Sequence, residues 1–228
     1  MFFGELSTPL IADGCLRCGV PLRLAPPGIA PIAAGVKISG RALPARHYGS
    51  VDVFLEAVGA ARPADVLVVD NAGRTDEACV GDLTVLEAQA AGIAALIVWG
   101  VHRDTPELRN IGLPLFSYGT CPAGPLRLDR QEPEALSDAR FGAHVITSDD
   151  VVFADDDGVV FVPSACVDEV LDTARVIGQV EREQASRIAA GETLRAQTSF
   201  DEYLNRRAGD SSYTFRQHLR QIGDGVEE

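Results

Sequence analysis

A chain of 228 residues with 46% apolar and 23% charged residues has the composition of a soluble globule able to bury a real core. Its net charge of −13 offers no phosphate-neutralising patch, which argues against nucleic acid or an anionic membrane as a partner, though not against a basic protein. The longest apolar run, AAGIAALIVWGV at 90–101, falls short of the ~20 residues that span a bilayer, so no membrane segment is expected.

The stretch LSTPLIADGCLRCG predicts a short helix with Ser7 or Thr8 as N-cap and Pro9 at its first position. A Pro/Gly-rich connector, PPGIAPIAAG, leads to a strand in GVKISGRALPAR and then to a helix in GSVDVFLEAVGAA, with Ser50 as its cap. Val66 to Val69 form a continuous apolar run, the pattern of a strand buried on both faces, which ends into the loop DNAGRTDEACVGDL. Asp82 is expected to cap the next helix, with Leu83, Leu86 and Ala90 as its apolar face and Gly92 as its stop. Ile93 to Trp99 return as a second buried strand, which completes a βαβ unit. A short helix at TPELRN, with Pro106 near its start, and a short strand at LPLFSYG follow. Beyond residue 140 the pattern changes. HVITSDDVVFADDDGVVFVP alternates β-rich runs with acidic turns, as antiparallel strands do, and from Ser164 a long helix runs to Gly191. A second amphipathic helix, SFDEYLNRRAG, and a polar tail complete the chain. With no repeat or low-complexity linker, residues 1–228 are expected to form one α/β domain with a helical C-terminal arm, the kind of arm that often packs on a neighbouring subunit.

Five cysteines (Cys15, Cys18, Cys79, Cys121 and Cys166) are an odd number in a chain with no evident signal peptide, so reduced thiols in a cytoplasmic protein are expected. Cys15 and Cys18 have CxxC spacing, but no second Cys/His pair follows at ligand distance, and ordinary thiols rank ahead of a structural zinc site. Lys37 is the only lysine and stands in an apparent strand. Schiff-base chemistry would depend on it alone, so carbon–carbon bond chemistry here points to a metal instead.

Both buried strands of the βαβ unit open at one sheet edge, where ligands of parallel sheets bind. The first delivers Gly81, Asp82, Leu83 and Thr84 at a helix N-terminus, whose free N–H groups suit a carboxylate. The second delivers Arg103, with a planar fork for a carboxylate or 2-oxo acid oxygen, and Asp104, a hard oxygen ligand for Mg²⁺ or Mn²⁺. Taken singly, Asp82 and Asp104 are equally readable as helix caps, and Arg103 as the partner of a nearby acid. His102 is either a proton carrier or a plain strand-end side chain, and His47 in ARHYGS could face the same edge.

Asp82, twenty intervening residues, then Arg103-Asp104, set in GDLTVLEAQAAGIAALIVWGVHRD, resemble the 4-hydroxy-4-methyl-2-oxoglutarate aldolase family, which also includes regulators of ribonuclease E activity. LSTPLIADGC, DVLVVDNAG, LPLFSYGTCP and DDDGVVFVP agree, and the resemblance covers about residues 7–195, leaving 196–228 as a C-terminal helical extension. It implies a swivelling β/β/α fold, assembled as a homotrimer or homohexamer with sites between subunits. It implies that residues 81–84 hold a substrate carboxylate through backbone amides, that Arg103 contacts the pyruvyl part, and that Asp104 ligates a divalent metal directly. Asp82 would hold a metal-bound water, together with a glutamate from the neighbouring subunit's C-terminal helix, for which Glu183 is the best match and Glu181 the next.

The function implied is a metal-dependent lyase that cleaves 4-hydroxy-2-oxo acids to pyruvate and decarboxylates oxaloacetate. Its competitor is a non-catalytic regulator that masks a ribonuclease surface. A menaquinone methyltransferase is disfavoured, because no GxGxG loop follows a strand to cradle a nucleotide-like methyl donor.

Overall fold

The computed structural model describes residues 3–223. Its strands are β1 (Arg23–Leu24), β2 (Ala30–Pro31), β3 (Ile38–Arg46), β4 (Val66–Val80), β5 (Ala95–His102), β6 (Leu115–Ser117), β7 (Asp138–Phe141), β8 (His144–Thr147), β9 (Asp150–Asp155) and β10 (Gly158–Pro163). Its helices are α1 (Thr8–Arg17), α2 (Asp52–Gly59), α3 (Asp82–Ala90), α4 (Thr105–Ile111), α5 (Val167–Ala189), α6 (Leu194–Gln197), α7 (Phe200–Gly209) and α8 (Phe215–Ile222), with a 3-10 turn at Ser164–Cys166 ahead of α5.

Eight strands make one sheet in the order β1-β10-β9-β3-β4-β5-β6-β2, and β7 and β8 pair as a separate hairpin. The sheet has two wings that share β3. Residues 42–46 of β3 pair in parallel with β4, which pairs in parallel with β5, and β5 with β6. Residues 38–41 of β3 pair antiparallel with β9, which forms the expected hairpin with β10. This is the mixed α/β architecture that the sequence pattern predicts.

Strand alternation divides the core. Leu67, Val69, Leu96 and Val98 face α2, α3 and α4, and pack with Val53, Phe54, Val85, Ala88 and Leu108. Their neighbours Val66, Val68 and Ile97 face the β7–β8 hairpin and pack with Ala139, Phe141 and Ile146. Both faces of β4 are therefore covered, which explains its unbroken apolar run; each such side chain contributes ~1.5–3 kcal/mol by burial. On the antiparallel wing, Val151, Phe153, Val160 and Val162 pack under α1 and α5.

Three expectations are corrected. The strand after Val66 does not stop at Val69: β4 continues to Val80 beside β5, with register shifts after Asp70, Arg74 and Ala78. The residues expected as a loop are thus a bulged strand, irregular enough to lack period-2 alternation. In α3 the buried face is Thr84, Val85 and Ala88, while Leu83, Leu86 and Ala90 are exposed. Finally, Val51 rather than Ser50 holds the N-cap position of α2, and the Asp52 carboxylate accepts the Val53 N–H at 3.1 Å.

The C-terminal helix ends at Ala189, with Gly191 in a left-handed turn (φ 96°). The expected polar tail folds as far as α8, which Thr214 and Gln217 start with a reciprocal capping box, and residues 224–228 of that tail lie outside the described residues. Rings of Phe200, Tyr203, Phe215 and His218 hold α7 and α8 together.

Candidate active site

The C-terminal ends of β4 and β5 lie side by side, tied by the Arg103 N–H donating to the Val80 carbonyl oxygen at 3.0 Å. Each strand runs directly into a helix, so α3 and α4 begin at the same edge. A cavity of roughly 420 Å³ opens there, lined by His47, Val80, Gly81, Asp82, Thr84 and Arg103 among others.

Asp104 is the pivot of this edge. It stands at the N-cap position of α4, yet its side chain makes no cap bond, and its backbone is left-handed (φ 59°, ψ 40°). A non-glycine residue pays about 1–3 kcal/mol for that conformation, which persists only where the surroundings enforce it. The twist turns the carboxylate towards α3 instead, where Oδ2 accepts the Asp82 N–H at 3.3 Å and lies 3.4 Å from Arg103 Nε. The cap reading of Asp104 is therefore replaced by a carboxylate spanning two helix starts.

Gly81, at the N-cap position of α3, makes this approach feasible. Its backbone is extended, but a Cβ there would fall 2.4 Å from Asp104 Oδ2. Asp82 is the first residue of α3 rather than its cap, and its Oδ1 accepts the Leu83 N–H at 2.7 Å. The Asp82 and Leu83 amides already have carboxylate partners, so an incoming anion would compete with those bonds. Thr84 is buried, whereas Leu83 is 76% exposed. The Arg103 side chain is 49% exposed, and Gly124 leaves room beside it: a Cβ there would come within 2.9 Å of Nη1.

The two histidines separate. His102 is buried away from the cavity wall, with Nδ1 2.8 Å from Ser117 Oγ and Nε2 3.1 Å from Thr105 Oγ1. Burial, then Arg109, lowers its pKa, and both ring nitrogens are occupied in joining β5, β6 and α4. His47 does line the cavity. Its ring stacks on Phe54 with centroids 5.3 Å apart, and Nδ1 lies 2.9 Å from Asn71 Oδ1. An amide oxygen only accepts, so this bond favours the proton on Nδ1 and a basic Nε2, against a longer 3.5 Å contact from Arg127 Nη2 that favours the other tautomer. Burial lowers the His47 pKa, against the opposing pull of the Asn71 bond. Cys79, also in the wall, is pushed up to about 12 by burial, so its thiol stays protonated at neutral pH.

Sequence patterns did not single out Asn71, Glu77 or Arg127, which brace His47. Arg127 donates to Glu77 Oε1 at 2.8 Å and to Asn71 Oδ1 at 3.0 Å. Asn71 and Glu77 sit in the bulged part of β4, where no periodicity marks them; the one available signal is two buried polar residues straight after a core strand.

Other candidates lie elsewhere. Lys37 precedes β3, donates to the Leu6 carbonyl oxygen at 2.8 Å and does not line the cavity. Glu181 and Glu183 are exposed on α5, where Glu183 accepts from Gln179 at 3.1 Å. Neither lines the cavity of its own chain. Among the described residues, no three His, Cys, Asp or Glu side chains converge as a metal cage. The carboxylates at this edge are those of Asp82, in the cavity wall, and Asp104, beside it, both hard oxygen ligands. Such a set fits Mg²⁺, which is commonly held by one or two carboxylates, with waters and substrate oxygens completing the shell.

The profile of the RraA-like family, described as Aldolase/RraA, matches residues 8–161. The chain belongs to the RraA-like family. Among its relatives, protein DlpA of Legionella pneumophila is 29% identical over 192 residues, which cover 81% of this chain and 30% of DlpA; the chain thus spans less than a third of that protein. A protein of Alcanivorax borkumensis with the provisional name 4-hydroxy-4-methyl-2-oxoglutarate aldolase is 30% identical over 112 residues, 49% of this chain and 69% of that protein. The crystal structure of Streptomyces coelicolor RraAS2, described as an unusual member of the RNase ES inhibitor RraA protein family, superposes with a TM-score of 0.69 and 27% identity, covering 81% of this chain and 95% of that one. The RraA-like family thus holds proteins named for lyase activity and others named for ribonuclease inhibition. Among the described residues no helix is long and apolar enough to cross a membrane.

Proposed function

We propose that the cavity at the ends of β4 and β5 is the active site of a divalent-metal-dependent lyase, which cleaves 4-hydroxy-2-oxo acids such as 4-hydroxy-4-methyl-2-oxoglutarate to pyruvate and also decarboxylates oxaloacetate. The observation that carries this reading is the Asp104 carboxylate, held in a strained backbone beside Arg103 and the first amides of α3. A structural cap would need no such strain.

Asp104 would hold Mg²⁺ or Mn²⁺ directly, with Asp82 acting through water. When bound, the metal supplies an electron sink for the pyruvate enolate that both reactions leave. The chain's own groups do the rest. Amides of residues 81–84 orient the substrate carboxylate at the positive end of α3. The Arg103 fork binds the 2-oxo acid oxygens and gains strength as negative charge develops on them. The 4-hydroxyl proton must leave as the carbon–carbon bond breaks, and a proton must return to the methylene carbon of the enolate. His47, neutral and with a basic Nε2, is suited to the first transfer, and a water held by Asp82 to the second.

The wall is open on one side. Leu83, Leu86, Val51, Leu55 and Leu126, on α2, α3 and the segment after β6, are all exposed apolar residues on elements around the cavity. A second copy packed there would cover them and could bring Glu183 of its α5 to the Asp82 water, in a homotrimer or homohexamer. Light scattering on the purified chain tests the assembly.

The decisive experiment measures pyruvate release from 4-hydroxy-4-methyl-2-oxoglutarate and from oxaloacetate, with Mg²⁺ and then with EDTA. Metal-dependent release that Asp104→Ala abolishes supports the lyase. Its absence with both substrates overturns it in favour of the reading that the likeness to RraAS2 favours, a ribonuclease-binding regulator, which a binding assay with a ribonuclease E-type enzyme would then detect.

A further inference from the structure

Three of the five cysteines meet at the end of α1, outside the cavity wall. Cys15 lies in the last turn of α1 and Cys18 at its C-cap. A separation of three residues puts both on one helix face, with Cβ atoms ~5–6 Å apart. That face lies on the start of α5: Cys18 Sγ is 3.2 Å from Thr173 Oγ1 and 3.8 Å from the Glu169 carbonyl oxygen. Cys166, in the turn that leads into α5, packs against the same apolar cluster that contains Cys15. Cys15 is buried, and that burial, with Cys18 and then Cys166 close by, pushes its thiol up to about 11. Cys18 and Cys166 are half-buried, and all three are free thiols. Because these groups do not form a metal cage, the CxxC pair is left with thiol chemistry.

We propose that Cys15 and Cys18 form a peroxide-sensitive dithiol that closes into a disulfide at the α1–α5 junction. Cys18, the more open of the two, reacts first: its thiolate attacks one oxygen of H₂O₂, the O–O bond breaks, and Cys18 sulfenic acid and hydroxide form, the hydroxide taking up a proton to leave as water. Cys15 sulfur then attacks the Cys18 sulfur, the S–O bond breaks, and the second water leaves with the thiol proton. Two thiols lose two electrons and the peroxide gains them. The geometry allows closure, because a disulfide needs Cα atoms ~4.4–6.8 Å apart and Cβ atoms drawn to ~3.8 Å. Cys18, at the fraying end of the helix and followed by the left-handed Gly19 (φ 68°), can make that small approach. Closure pulls Cys18 off Thr173 and Glu169, and so loosens α1 from α5.

Arg17, between the two cysteines, makes the test sharp, since trypsin cuts after it. The reduced full chain is treated with stoichiometric H₂O₂, alkylated, digested and mapped by mass. The expected result is loss of two hydrogens from the intact chain, with the peptide ending at Arg17 joined to Cys18–Arg23 until reductant is added. Cys166→Ser should keep the link. Cys18→Ser should lose it, and Cys15→Ser should leave a Cys18 sulfenic acid that dimedone traps. A link from Cys18 to the Cys166 peptide, a link between copies that grows with protein concentration, or sulfinic acid at Cys18 with Cys15 still free would each overturn the proposal.

Discussion

Asp104 and Asp155 place the same side chain in opposite circumstances. On the antiparallel wing, Asp155 is buried at the end of β9 and fully engaged: Oδ2 accepts the Thr8 N–H at 2.8 Å, and Oδ1 accepts the Thr8 hydroxyl at 2.6 Å and the Asp157 N–H at 3.0 Å. It fastens α1 to the β9–β10 turn. On the parallel wing, Asp104 is a third exposed and left-handed, and its Oδ2 has only two long contacts, from Asp82 N–H at 3.3 Å and Arg103 Nε at 3.4 Å. One carboxylate is placed where its bonds are complete, the other where they are left open at the cost of backbone strain. Strain and unspent hydrogen-bonding capacity together support the proposed functional role of Asp104 over a purely stabilising one.

The same substitution at both positions should separate the two roles. Asp155→Asn presents an N–H₂ group to a site lined by donors, and is expected to destabilise the fold by about 3 kcal/mol, roughly 6–12 °C in Tm, while the remaining folded protein keeps its turnover. Asp104→Asn keeps the shape and the tolerance of left-handed backbone, so Tm should stay within a few degrees while pyruvate release falls by roughly 10³-fold. Equal effects of both substitutions on Tm would erase the distinction. Arg103→Lys comes next: a point charge cannot replace a planar fork, and a loss of roughly 10²-fold in kcat/KM is expected, with the fold intact by circular dichroism. Gly81→Ala sharpens the comparison further. Its Cβ would displace the Asp104 carboxylate, so Mg²⁺ binding by calorimetry should weaken about tenfold or more, although the backbone at 81 is one that alanine readily adopts.

Much of this edge was legible because its signals are local. The apolar run at Val66–Val69, the helix after Gly81 and the strand before Arg103 each follow from periodicity and punctuation, and the order strand–helix–strand dictates that residues 81–84 and 103–104 share an edge. What escaped depends on contacts between distant segments. Leu83 and Leu86 look like the inner face of α3 by spacing, but Thr84, Val85 and Ala88 fill the narrow gap over the sheet, and the larger residues face outward. The strand character of residues 70–80 is imposed by pairing with β5, not by alternation. The bracing of His47 joins residues 47, 71, 77 and 127, a set with no fixed spacing. Glu183 shows the other limit: it lines no part of its own chain's cavity, so the role proposed for it rests on a second copy of the chain.

His47 and His102, the two buried histidines near this edge, offer the finest comparison. Both have pKa values lowered chiefly by burial, so both are held neutral in the folded protein. Below the unfolded-state value of ~6.5 the unfolded chain binds more protons than the folded one, so stability is full above that pH and falls as pH drops towards the lowered values. His102 has both ring nitrogens engaged, so His102→Gln should flatten this acid slope and leave the pH profile of turnover unmoved once thermal stability is allowed for. His47 shares the slope, but it lines the cavity, and its hydrogen bond through Nδ1 leaves Nε2 as the basic nitrogen. His47→Gln should therefore flatten the stability slope and also remove the acid limb from log kcat/KM. A profile that keeps its acid limb in the His47 variant would reduce that residue to the structural role His102 already has, and would move the proton transfer to the Asp82 water.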